Sequence, residues 1–151
     1  MSSAKHAPGI NAYNQVAVQT SVLDASPHRL IQMLLNAALE KIAKAKGFML
    51  NKKIAEKGAQ IGLAVSIVDA LRASLDKERG GEISENLENL YDYITRRLTE
   101  ANMSNKIDIL DEVIALLLPI KEAWDAIPED VRAAHQHQQA KEDAKEQAAA
   151  G

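Results

Sequence analysis

The sequence predicts an all-α fold: an antiparallel four-helix bundle with an N-terminal cap segment and a disordered C-terminal tail. Three observations lead there. Apolar residues make up 46% of the chain and aromatic ones only 3%, so the core has to be aliphatic. Alanine and leucine are abundant and proline is scarce before Pro119, a composition that favours helix. Four stretches carry apolar residues at alternating spacings of three and four, and short breakers join them. A chain of 151 residues suits one compact domain with a modest tail. The expected division is a cap segment over 1–23, the bundle over 24–127 and a flexible tail over 128–151.

Residues 1–23 are poor in charge, with Pro8-Gly9 as a breaker pair. Ser26-Pro27 then starts the first helix: Ser26 offers an oxygen to the free amides, and proline loses no bond at the first helical position. That helix is expected to run to about Lys46, with Gly47 as its stop. The second runs from about Asn51 to Asp76, on a stripe of Ile54, Gly58, Ile61, Val65, Val68 and Leu75 that Arg72 interrupts at its edge. Gly58 and Gly62, four apart, read as close helix packing. Gly80-Gly81 breaks the chain before the third helix, whose stripe is Ile83, Leu87, Leu90, Ile94, Leu98 and Ala101. Asn105 is expected to cap the fourth helix, with Asp108 in its first turn and a stripe of Leu110, Val113, Leu117, Ile120, Trp124 and Ile127. Pro119 falls inside this helix, so a kink is expected there. From Pro128 the chain keeps helix propensity but has no apolar stripe, so it reads as a solvated, dispensable tail.

Several chemistries find no support. The net charge is −3, from 18 basic and 21 acidic residues. Residues 1–127 carry 15 basic and 16 acidic of these, without the basic excess that phosphate binding demands. Arg96-Arg97 has Asp92 and Glu100 at helical pairing distance, so it reads as a solvated face. There is no cysteine, hence no disulfide or thiolate chemistry. A di-iron bundle needs inward Glu-x-x-His pairs, and none exists. His135 and His137 diverge on a helix, and His28 reads as an exposed first-turn residue near Ser26. No secretory signal or span of ~20 apolar residues is visible. The expectations are no enzyme activity, no cofactor, no metal, no nucleic acid, no membrane insertion, and a cytosolic location.

The apolar faces are the informative feature. On a helical wheel the fourth helix is apolar over roughly 200°, from Leu116, Ile109 and Ile120 round through Leu110 to Ile114 and Leu118. The first helix is also broad, with Leu34 expected near the centre of its stripe. A corner helix of a bundle needs less. The surplus is either an ordinary wide core face or a face covered by a second copy, by the chain's own N-terminus, or by another protein. Tyr91 and Tyr93, two apart, flank the third stripe on opposite sides, each able to bury its ring and keep its hydroxyl wet.

SLDKERGGEI, then LYDYITRRLTEAN, then DEV at Asp111–Val113 and EAW at Glu122–Trp124 resemble the flagellin-specific export chaperone family, FliS. GINAYNQV at Gly9–Val16 and ASPHRLIQML at Ala25–Leu34 fit the same family, so the likeness spans about residues 9 to 127. Leu35, Asn36 and Ala37 stand where members often place an aromatic, an acid and a glycine. The resemblance implies a helical bundle of the bacterial cytosol that binds the disordered C-terminal segment of flagellin. It would prevent premature polymerisation and hand its cargo to the flagellar export gate. An additional flagellar regulatory protein is a further candidate partner. It also implies that Ile10 and Tyr13 border the binding groove. With the two broad faces, this makes the candidate partner-binding set Ile10, Tyr13, Met33, Ala37, Ile109, Leu116 and Ile120. The rival reading is a structural helical module that self-associates through those faces.

Overall fold

The computed structural model describes residues 25–127 and 144–149. Four helices follow in order: α1 (Pro27–Leu50), α2 (Ile54–Ala73), α3 (Lys77–Ser104) and α4 (Ile107–Asp125). The compact unit carrying the core is Ile31–Pro128. Residues 144–149 form a short helix, exposed throughout. The rest of the expected tail and the whole cap segment, including Ile10 and Tyr13, lie outside the described residues.

Cross-helix bonds join the helices, and those of α1 with α4 and of α2 with α3 show that these pairs run antiparallel. Gln32 Nε2 donates to Asp125 Oδ1 at 2.9 Å and Lys46 Nζ to Asp111 Oδ1 at 2.7 Å, which joins α1 to α4. Lys57 Nζ donates to the Asn102 carbonyl at 2.8 Å, and Arg72 lies 3.7 Å from Asp92, which joins α2 to α3. Arg97 Nε donates to Glu112 Oε1 at 2.8 Å, joining α3 to α4. Inside lies an aliphatic core, its largest fully buried members including Leu35, Ile42, Leu71, Leu98, Leu110 and Leu117.

The helix ends differ from expectation in instructive ways. Ser26 does cap α1, accepting from the Arg29 amide at 3.0 Å. Gly47, however, does not stop it. The helix runs on to Leu50 and closes at Lys52, which adopts φ 57°. The Lys53 amide reaches back to the Phe48 carbonyl (2.8 Å) and the Lys52 amide to Met49 (3.2 Å), the double return bond of a left-handed helix terminus. A mid-helix glycine costs only about 1 kcal/mol, too little to end a helix that buries Ala45 and half-buries Met49. Asn105 likewise closes α3, at φ 55° with its amide on Ala101 at 2.9 Å, rather than capping α4, whose first turn holds Asp108. Pro119 lies exposed within α4, which continues to Asp125.

The stripes also shift. On α1 the buried line is Leu35, Ala38, Ile42 and Ala45, and Leu34 is only half-buried beside it. His28, seven before Leu35 and so on the same side of the helix, is buried with 6% exposure. On α2 the exposed Ile54 gives way to Lys57. An added Cβ at Gly62 would meet nothing within 4 Å, and at Gly58 only the Asn102 Oδ1 at 3.7 Å, so neither glycine is required for close packing. On α3, Ile83 is 71% exposed while Ser84 and Tyr91 point inward. These two and Leu98 are seven apart, a single line along the helix.

Tyr91 is 2% exposed, and burial pushes its phenol up to about 12. The unfolded chain ionises this group near pH 10. Between those values the unfolded state sheds a proton that the folded state keeps, so stability falls as pH rises. The complete loss is about 2 to 3 kcal/mol. Tyr91→Phe is expected to lose less stability than the parent protein between pH 10 and 12 in urea titrations. An identical decline in both would show that this phenol ionises freely in the fold.

Candidate functional site

The candidate residues fall into two pairs and one outlier. Met33 and Ala37, four apart on α1, are both half-buried. They occupy the flank turned away from α4, since Gln32 and Lys46 reach α4 from the other side. Leu116 and Ile120, four apart on α4, are also half-buried and pack against the core. They share a flank with Glu112, which reaches α3. Ile109 lies in line with this second pair but is 4% exposed and belongs to the core cluster. It supports the flank from behind instead of forming its surface. The first pair thus lies on the flank of α1 away from α4 and the second on the flank of α4 toward α3, and a partner touching both would have to wrap around the bundle.

The middle of α3 carries a belt of balanced charge that crosses to both neighbours. From α2, Arg72 lies 3.9 Å from Asp69 and 3.7 Å from Asp92. Asp92 pairs with Arg96 at 3.6 Å, and the Arg96 guanidinium stands 6.0 Å from the centre of the Tyr93 ring. The Tyr93 hydroxyl donates to Glu112 Oε2 at 2.6 Å, while Arg97 holds the other oxygen. These bonds to Tyr93 and Arg97 keep the Glu112 carboxyl below its ordinary range. The Tyr93 phenol is raised, first by its bond to Glu112 and then by desolvation. Each arginine of LYDYITRRL thus has a carboxylate, which leaves no free cationic pair for phosphate. The expected partner of Arg97 was Glu100; the bonded one is Glu112. Spacing along one helix reveals only same-helix partners, so this cross-helix cluster was not visible in the sequence.

The outer faces differ in charge. Arg29, Glu40 and Lys44 are exposed on α1, Glu82, Glu85 and Glu100 on α3, and Asp108, Asp111 and Glu122 on α4. The exposed face of α2 runs through Ala55, Ala59, Gly62, Leu63, Ser66 and Ala70. The signal was present in the sequence, where these positions lack the charges a solvated face normally carries. Among the described residues, no group of three or more His, Asp or Glu is placed to hold a metal ion, and no helix is long and apolar enough to cross a membrane.

A family model described as flagellar protein FliS matches residues 9–131, which include all four helices. The flagellar secretion chaperone FliSB of Pseudomonas aeruginosa is 52% identical over 115 residues, covering 76% of this chain and 91% of its own length. The flagellar secretion chaperone FliS of Salmonella typhimurium is 45% identical over 122 residues, 80% of this chain and 90% of its own. That of Bacillus subtilis is 33% identical over 106 residues, 70% of this chain and 78% of its own.

Proposed function

This chain belongs to the FliS family of flagellar proteins, and from that premise we propose that it holds the disordered C-terminal segment of flagellin in the bacterial cytosol. Holding that segment prevents premature polymerisation, and the complex is delivered to the flagellar export apparatus. The coarser role, a flagellar export chaperone, follows from its relatives; chaperones of this kind act by binding and not by catalysis. The observation that carries the reading is the family match over residues 9–131, which takes in the four helices and most of the segment before them. The separation of the two half-buried pairs supports it physically. A disordered partner loses much entropy on ordering, so its contacts have to be long and distributed. Met33 and Ala37 on the flank of α1 away from α4, and Leu116 and Ile120 on the α3 side of α4, suit a wrapped segment better than a compact one.

Calorimetric titration of the full chain with a flagellin C-terminal fragment tests this. A one-to-one complex with micromolar or tighter affinity is expected. Ile10→Ala combined with Tyr13→Ala should weaken it while the melting temperature stays nearly unchanged. Stronger binding by the double variant would make the N-terminal segment a plug that competes with cargo. No binding at micromolar concentration would overturn the flagellin assignment.

A further inference from the structure

The connection between α2 and α3 is held differently from the rest of the bundle. Its first turn, Lys77–Gly80, is set apart from the main run of α3 by Gly81, at φ 52° and ψ −124°, a conformation that L side chains avoid. The space above Gly80 is already taken: a Cβ there would stand 1.8 Å from the Ser84 Oγ and 2.8 Å from its Cβ. Asp76 gathers the turn. Its side chain accepts from the Arg79 amide at 3.1 Å, and its carbonyl accepts from the Gly80 amide at 2.8 Å and the Ser84 hydroxyl at 2.9 Å. Lys77 Nζ lies 2.7 Å from Glu88 Oε2 and draws the turn back along α3.

No apolar side chain of the turn is buried. Lys77, Glu78, Arg79, Gly81, Glu82 and Ile83 are all exposed, and only Ser84 is buried. Segments held by polar surface contacts and little apolar burial open locally, without unfolding the remainder. At the opposite end of the bundle the helices are tied by the buried Lys57 and by Lys46–Asp111.

We propose that Gly80 and Gly81 form a hinge on which the first turn of α3 opens as a latch, independently of the bundle. Opening releases Ser84 from the Asp76 carbonyl. The latch gives the α2–α3 end two arrangements separated by a small free energy, while the aliphatic core stays closed.

Native-state hydrogen exchange on the full chain tests it. The Arg79 and Gly80 amides should exchange by an opening nearly insensitive to low urea, whereas the Ile94 and Leu98 amides follow global unfolding. Ser84→Ala removes one hydrogen bond from the closed form and should speed Arg79 and Gly80 about fivefold. Gly81→Ala strains the closed form and should speed them about tenfold. Core amides should be unchanged in Ser84→Ala. Arg79 and Gly80 exchanging in step with Ile94 and Leu98 across urea, or showing no change in Ser84→Ala, would overturn the latch.

Discussion

Replacing Leu35 by aspartate is expected to abolish the cooperative thermal transition. Leu35 is fully buried in the core on the line of Ala38, Ile42 and Ala45. An ionised carboxylate there has no cation to meet, and its desolvation costs several kcal/mol; the deleted leucine packing costs about 2 to 5 more. A domain of this size has roughly 5 to 15 kcal/mol in total, so the two losses together consume most of it. Leu34→Asp is the control. Leu34 is half-buried at the edge of the same stripe, where a carboxylate can turn toward water, so that variant should melt cooperatively at a lower temperature. Circular dichroism melts of both variants decide the rotation of α1. A sharp native-like melt for Leu35→Asp, beside collapse of Leu34→Asp, would mean that α1 is turned by about one residue from the orientation described.

The rotation of α1 marks how far the sequence could be read. The three-and-four spacing located all four helices, because burial of an apolar stripe is a periodic signal and needs no knowledge of the neighbour. It could not centre the stripe on α1: Leu34 and Leu35 are adjacent and equally apolar, and only packing chooses between them. Helix ends were harder. Glycine is permissive rather than a command, so α1 passed through Gly47 and stopped at Lys52, where the return bonds to Phe48 and Met49 favoured a left-handed lysine. Within the candidate surface, the half-buried state of Met33, Ala37, Leu116 and Ile120 was legible from the width of the apolar faces. The burial of Ile109 was not, since it lies on the same wheel angle as Leu116 and differs only in depth along the bundle. Lys57 was missed for a related reason. A lysine inside a stripe reads as a flaw until its acceptors, 45 and 48 residues away in the chain, are seen.

That lysine gives the second large effect. Lys57 is 2% exposed, its stem lying along the buried line of α2 that continues through Ile61, Ala64 and Val68. Its ammonium donates to the Asn102 carbonyl at 2.8 Å and to Asn105 Oδ1. Asn102 is among the last residues of α3, whose terminal carbonyls have no partner within the helix and whose end carries partial negative charge. Asn105 holds the left-handed conformation that closes the helix. One cation from α2 thus completes the terminus of α3 and ties the two helices at that end. Lys57→Met keeps the stem and removes the charge, leaving both oxygens without their donor. Hydrogen bonds from a charged donor contribute about 1.5 to 3 kcal/mol, so a loss of about 2 to 3 kcal/mol and a fall in melting temperature on the order of 10 °C are expected. Exchange at the Asn105 amide should accelerate more than exchange in the middle of α3. Asn105→Gly supplies the other corner of the cycle: glycine relieves the left-handed backbone but deletes the Oδ1 acceptor, so its own loss should be smaller. The effect of Lys57→Met should shrink in its background, because one of the two acceptors has already gone. Full additivity of the two variants would show that the ammonium acts on the Asn102 carbonyl alone, and an unaltered melting temperature in Lys57→Met would show that water replaces it at no cost.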